Sequence, residues 1–251
     1  HGMIYTVAMS TAIIPARYGS KRFEGKALAP INGMPMILHV CQRAELARNI
    51  SRVVVATDDT RISEAVKTFG GEAVMTSPVM RSGTDRVAQA AHMLGLPDDE
   101  VVVNIQGDQP AFDPGCLDSL LEPFQQERSV YMATLACRIS DVRQMSDPDC
   151  VKVVFDHQGD ALYFSRARIP WPRDDKAFAF GYRHLGFYAY TNRFLQQVAD
   201  LPSGAYEPIE KLEQLRVLEF GYKIRVVVTE EDSPGVDRPG DIQKIENFLS
   251  D

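Results

Sequence analysis

The stretch 11–26 holds a dense concentration of side chains able to do chemistry. A short apolar run from Thr11 to Ala16 opens into Arg17, Lys21, Arg22 and Lys26, set around Gly19 and Gly25. Cations beside glycines that let the backbone approach closely make a cradle for a polyphosphate. The same composition fits a solvated basic turn. Position separates the two readings: ligands bind at the carboxyl ends of strands in open α/β sheets, so this loop reads as the floor of an active site. A second candidate is Asp108, in Gly107-Asp108-Gln109-Pro110 directly after the apolar run 101–106. A carboxylate at that sheet edge could be catalytic, or it could be a turn aspartate bonding its own backbone.

The second half adds further clusters. Arg166 and Arg168 precede the single tryptophan, Trp171, and a guanidinium there could clamp a carboxylate. His184, Gly186 and Tyr188 share one face of a strand-like run, where a histidine is more often structural than catalytic. The run from Glu210 to Arg216 reads as an exposed, salt-bridged helix. Asp237 precedes a helix and fits an N-cap. Paired with Asp108, it would instead complete a Mg²⁺ site, which needs only one or two carboxylates plus phosphate oxygens.

These residues need a scaffold, and the hydrophobic pattern supplies one. Apolar runs at 11–16, 52–57, 72–76 and 101–106 alternate with helical spacing at 34–48, 61–69 and 84–94, the last with Thr84 as a possible cap. That alternation predicts a mainly parallel sheet covered on both faces, an α/β fold. After a helix at 113–126 the pattern changes. Strand-like runs at 130–137, 151–156 and 161–165, the last two joined by a turn at 157–160, precede another at 183–190. Helices are expected at 192–200, 207–220 and 239–249, with a strand at 222–229. No linker divides the halves, so residues 9–251 read as one domain with an added strand and hairpin region at 130–187. Residues 1–8 read partly as a remnant ahead of the fold.

Composition narrows the function classes. A net charge of -7 argues against generic nucleic-acid binding, which depends on a basic surface, but leaves room for a local anion site. No apolar run approaches the ~18 residues of a membrane span and no signal pattern is visible, so a cytoplasmic protein without membrane insertion is expected. Cys41, Cys116, Cys137 and Cys150 are scattered and read as reduced, buried thiols.

The runs IIPARYGSKRFEGK, VVVATDD, SGTDRVAQ, VVNIQGDQP, VKVVFDHQGDALYFSRARIPW, RHLGFYAY, EPIEKLEQLRVLEFG and GVDRPGDI closely resemble the 3-deoxy-manno-octulosonate (Kdo) cytidylyltransferase family, also called CMP-Kdo synthetases, across nearly the whole chain. The resemblance implies a Rossmann-like nucleotidyltransferase domain, commonly a homodimer. It would join CTP to an eight-carbon keto sugar acid with Mg²⁺, release pyrophosphate and serve bacterial lipopolysaccharide biosynthesis. It assigns Ala16, Arg17, Ser20, Arg22, Lys26, Ser82, Gly83 and Gln106 to the nucleotide, with Ser82 and Gly83 facing the cytosine. Arg17, Lys26, Asp108 and Asp237 become the catalytic set, with Asp108 and Asp237 as metal ligands. Arg166, His184, Tyr188, Glu213 and Gln214 line the sugar pocket, with Arg166 facing the acceptor carboxylate. Residues 130–187 contribute to that pocket and to the dimer.

The chain departs from the family pattern at Lys21, Phe23 and Glu24, and at Gln109, where the family carries glutamate. The nearest alternative acceptor is an 8-amino Kdo analogue or another keto sugar acid, because one amino-for-hydroxyl exchange is read by one or two contacts. A non-catalytic nucleotide-binding protein is the rival from another class. It would be expected to have lost Lys26, Asp108 or Asp237, and all three are present.

Overall fold

The computed structural model describes residues 10–19, 23–174, 180–230 and 232–250. Strand β1 (Ser10–Ala16) leads through the basic loop and a two-residue pair, β2 (Pro30–Ile31) and β3 (Met34–Pro35), into helix α1 (Met36–Glu45). Then β4 (Ile50–Thr57), α2 (Thr60–Thr68), β5 (Glu72–Met75), α3 (Gly83–Met93) and β6 (Val101–Asn104) continue the expected alternation. The second half runs α4 (Gly115–Gln126), β7 (Met132–Arg138), α5 (Val142–Ser146), the hairpin β8 (Lys152–Phe155) and β9 (Ala161–Ser165), and β10 (Tyr182–Thr191). It ends with α6 (Asn192–Asp200), α7 (Glu207–Glu210), α8 (Gln214–Glu219), β11 (Arg225–Thr229) and α9 (Ile242–Ser250).

The main sheet is ordered β11-β7-β10-β6-β1-β4-β5, with the β8–β9 hairpin joined to β10. Strands β6, β1, β4 and β5 are mutually parallel, as are β7 and β11. Strand β10 runs against both β6 and β7 and so joins the two parallel blocks. Successive side chains of a strand face opposite sides, and the core divides accordingly. Ile14, Val55, Val103 and Phe187 pack under α1, α2 and α4. Ile13, Ala56, Val102, Phe164 and Tyr190 pack under α3, α6 and α8. Apolar character on both faces is what the central strands require when helices cover both.

Several boundaries differ from expectation for local reasons. Helix α3 is capped by Ser82, not Thr84: the Ser82 hydroxyl accepts from Asp85 N at 3.1 Å, which leaves Thr84 Oγ1 to donate to Glu213. The single helix expected over 207–220 is broken at Lys211, which takes a left-handed conformation (φ 56°). The break folds the two pieces together, so Arg216 in α8 reaches back to Glu207 in α7 at 2.8 Å through Nε. That pair also corrects the expectation of an exposed helix, since Arg216 and Gln214 are buried. Helix α5 has no counterpart in the sequence reading. All four cysteines are buried free thiols, and burial pushes the Cys41 thiol up to about 12.

Candidate active site

Parallel neighbours β1 and β6 end at the same edge of the sheet, so the loops after Ala16 and after Asn104 emerge side by side. Gly107 is needed where they meet, because a Cβ there would lie 3.1 Å from Pro15 O. This close approach places Asp108 beside the basic loop. Lys26 Nζ donates to Asp108 Oδ2 at 2.6 Å and to Val236 O at 2.9 Å. Val236 N in turn donates to Asp108 O at 2.8 Å. Three segments far apart in sequence, those of Lys26, Asp108 and Val236-Asp237, are thereby fastened together.

The basic loop closes on itself: Gly25 N donates to Tyr18 O at 2.9 Å, and Gly25 has φ 69°. A Cβ at Gly25 would come within 3.0 Å of Tyr18 Oη. The other face of the Tyr18 ring carries the Arg61 guanidinium, 3.3 Å from the centroid and held by Asp59, the N-cap of α2. Arg17 is exposed just past β1, and Ala16 is buried as its last residue. Ser20, Lys21 and Arg22 lie outside the described residues.

Strand β10 overhangs the edge at which β6 stops. Its Tyr188 pairs with Asn104, and the pairing with β7 is interrupted between His184 and Tyr188. Gly186 sits within the interruption at φ 77°, and two carbonyls there turn away from the ladder. Gln106 Nε2 donates to Gly186 O at 3.2 Å and Gln109 Nε2 to Leu185 O at 2.8 Å. A glutamate at 109 could not donate in this way, which gives the amide a structural use here.

The result is a cleft of about 260 Å³ whose walls include Asp108, Asp149, Arg183, His184, Gly186 and Asp237. Asp237 is not the helix cap that its position suggested. Arg238 stands at the N-cap position, and Asp241, in the first turn, accepts from Asp237 N at 3.1 Å and Arg238 N at 3.0 Å. Asp149 and Arg183 were not singled out by the sequence reading: a turn aspartate and a strand arginine carry no signal until the hairpin folds beside the sheet edge. Arg183 is engaged by Asp232 at 2.9 Å.

His184 packs between the rings of Phe164 and Tyr188, at 4.9 and 5.3 Å between centroids. Thr134 Oγ1 donates to Phe187 O at 2.6 Å and lies 2.8 Å from His184 Nε2. With the hydroxyl hydrogen committed to Phe187 O, Nε2–H donates to Thr134 and Nδ1 is left as an acceptor. Burial pushes the imidazole down to about 3. The unfolded chain therefore binds a proton that the folded chain refuses between pH 6.5 and 3, and this contribution to stability is complete above 6.5 and declines as the pH falls through that window. Urea midpoints at pH 7 and pH 4.5 should show a smaller acid-side loss for His184→Gln than for the unmodified protein.

Tyr188, Glu213, Gln214 and Ser82 meet beside this cleft, around a small space of about 20 Å³ also lined by Thr84, Tyr190 and Arg216. Thr84 Oγ1 donates to Glu213 Oε2 at 2.9 Å. Burial holds the Glu213 carboxyl above the usual range and raises the Tyr188 phenol. Gly83 opens α3 against β1, where its Cβ would lie 3.6 Å from Pro15 Cγ. Arg166 lines neither space; its Nε donates to Glu210 O at 2.7 Å and its NH1 to Pro148 O at 2.9 Å.

A family model described as cytidylyltransferase matches residues 11–224, which span every element from β1 to the threshold of β11. The chain belongs to the cytidylyltransferase family. It is a nucleotidyltransferase. A 3-deoxy-manno-octulosonate cytidylyltransferase from Desulfatibacillum aliphaticivorans is 56% identical over 239 residues, covering 95% of this chain and 98% of the relative. An 8-amino-3,8-dideoxy-manno-octulosonate cytidylyltransferase from Shewanella frigidimarina is 54% identical over 241 residues, covering 96% and 98%. Among solved structures, a CMP:2-keto-3-deoxy-manno-octonic acid synthetase complexed with CTP superposes with a TM-score of 0.91 at 40% identity, over 97% of this cytidylyltransferase and 99% of that chain. A Leptospira borgpetersenii cytidylyltransferase shares the fold at a TM-score of 0.65 and 16% identity.

Proposed function

We propose that this chain transfers the cytidylyl group of CTP to the anomeric hydroxyl of 3-deoxy-manno-octulosonate, giving CMP-Kdo and pyrophosphate for lipopolysaccharide synthesis. The observation that carries the reading is the joining of Lys26, Asp108 and the Val236-Asp237 segment at one sheet edge, in a chain so similar to a synthetase complexed with CTP. In the reaction the hydroxyl oxygen bonds to the α-phosphorus as the bond to the β-phosphate bridging oxygen breaks. Lys26 and Arg17 would balance charge growing on the pyrophosphate, which is catalysis by positioned electrostatics. Ser82 and Gly83 would face the base, while His184, Tyr188, Glu213 and Gln214 hold the acceptor.

Mg²⁺ is the cofactor this reading requires, and the donor set fits it. Asp108 and Asp237 line one cleft, and Lys26 engages a single oxygen of Asp108. Among the described residues no group of three or more His, Cys, Asp or Glu could hold a metal, so phosphate oxygens must complete the shell, as is common for this ion. Bound there, Mg²⁺ would supply Lewis-acid neutralisation of the phosphates and a lower pKa for the attacking hydroxyl.

A second acceptor is favoured by one feature. Asp149 lines the cleft with a carboxylate that makes no hydrogen bond or ion pair among the described residues. An added anion disfavours a purely anionic sugar acid and suits one bearing an ammonium group, as in the 8-amino analogue. Pyrophosphate release with CTP and Mg²⁺ tests both, comparing Kdo, 8-amino-Kdo and N-acetylneuraminate, with UTP as control. Release with CTP and a Kdo-type acceptor is expected; release only with N-acetylneuraminate, or none at all, overturns the reading. Asp149→Asn should lower the preference for 8-amino-Kdo over Kdo by roughly fivefold, the scale of a solvent-exposed ion pair.

We also assign a homodimer, working in the cytoplasm. Exposed Leu162, Trp171 and Phe180, all within the stretch 130–187, support a surface for a second copy, and sedimentation at micromolar concentration reads it directly. Among the described residues no helix is long and apolar enough to cross a membrane.

A further inference from the structure

Lys152 is fully buried at the start of β8, in the run that resembles the family, yet it has no part in the reaction as derived. Burying an ammonium costs several kcal/mol unless its hydrogen bonds are all met, and a methionine of similar length would fill the same space without that cost. A charge kept there must therefore hold something. Lys152 Nζ donates to Asp147 O at 2.8 Å, Cys150 O at 2.5 Å and Arg166 O at 2.6 Å. Its three donors are matched by three carbonyls drawn from two segments.

One segment reaches the cleft wall and the other anchors it. The first is the turn 147–150, closed by Cys150 N to Asp147 O at 3.2 Å, which carries Asp149 to the wall of the cleft. Val151, next in the chain, lines the same wall, and its carbonyl accepts from His184 N at 2.9 Å. The second segment is the end of β9. There Ser165 Oγ donates to Glu210 Oε1 at 2.6 Å and Arg166 N to Glu210 Oε2 at 2.9 Å, while Arg166 NH1 returns to the turn at Pro148 O. Without Lys152 the three carbonyls lose their shared donor, and the two segments keep the bond from Arg166 to Pro148 and the strand pairing of β8 with β9.

We propose that Lys152 is a positioning residue for acceptor recognition: its ammonium ties the turn 147–150 to Arg166, and so sets the cleft wall that meets the keto sugar acid. This rests on the reading that the cleft takes such an acceptor. Among the described residues nothing joins Lys152 to the basic loop or to α3, so its loss should act on the sugar acid and spare the nucleotide.

The test is steady-state kinetics on Lys152→Met and Lys152→Gln, together with hydrogen exchange at the Cys150 amide. Both variants should raise KM for the acceptor tenfold or more while KM for CTP stays within twofold, and Gln, which keeps two donors, should be the milder. The Cys150 amide should exchange at least tenfold faster in each. Val66→Ala, which trims α2 in the core, serves as a destabilised control and should leave both KM values unchanged. Equal changes in the two KM values, or an acceptor KM that does not move, overturn the proposal. Should Met prevent folding, Gln alone decides by the same criteria, and should neither fold, the residue's role is that of the core and the proposal falls. If the unmodified protein releases no pyrophosphate with any acceptor, the functional reading fails separately, and unchanged Cys150 exchange would still overturn the tie itself.

Discussion

Asp108→Asn should lower kcat by about 10³-fold while the protein stays folded and still binds CTP. Asparagine keeps the shape of the side chain and an oxygen able to accept from Lys26, so the fastening of the loops is preserved. What it removes is the negative charge at the edge where β1 and β6 end, and with it one of the two carboxylates that would hold Mg²⁺. Removal of one well-placed electrostatic group from an active site costs about 10²–10³-fold, and loss of a metal ligand belongs at the upper end. The effect on stability should be small, because the Lys26–Asp108 pair is partly open to solvent, with 37% of the aspartate side chain exposed. Such pairs contribute about 1 kcal/mol or less. Thermal melting, CTP titration and pyrophosphate release on one preparation separate these effects. Turnover within tenfold of the unmodified enzyme would remove Asp108 from the metal site.

Lys26→Met should be comparably severe, by roughly 10²–10³-fold in kcat/KM for CTP, for two reasons that act together. In the proposed reaction the ammonium would neutralise the departing pyrophosphate. It is also the direct link between Asp108 Oδ2 and Val236 O, so its loss loosens the segment that carries Asp237. The backbone bond from Val236 N to Asp108 O remains, which is why the variant should fold. Lys26→Arg restores the charge with a longer, planar head that cannot reproduce both contacts, and should recover only part of the activity. A methionine variant with unchanged kcat/KM for CTP would contradict both roles.

How legible these residues were depended on whether their surroundings lie nearby in sequence. The basic loop and Asp108 were visible because each follows an apolar strand run directly, and the end of a parallel strand is where ligands gather. The four strands of the main alternation were readable for the same local reason: period and run length are written within a few residues. The break at Lys211 was not, because nothing before it stops a helix. It is held by the pairing of Arg216 with Glu207 across the bend. Asp237 carried two readings, a cap or a metal ligand, and only the fold places Arg238 rather than Asp237 at the cap and Asp237 on the wall of the cleft.

By itself, then, the sequence determined the α/β class, the alternation from β1 to β6, the basic character of the loop after β1 and, through its motifs, the cytidylyltransferase family. The tertiary structure decided which side chains share a space. It placed Asp108 on Lys26, turned His184 and Asp149 into one cleft, gathered Ser82 with Glu213 and Tyr188, and buried the Lys152 ammonium among three carbonyls. The physical reason is that strand period and cap chemistry are local. A contact between residues 26 and 108 exists only once β1 and β6 lie side by side in parallel, and one between 152 and 166 only once the β8–β9 hairpin has closed.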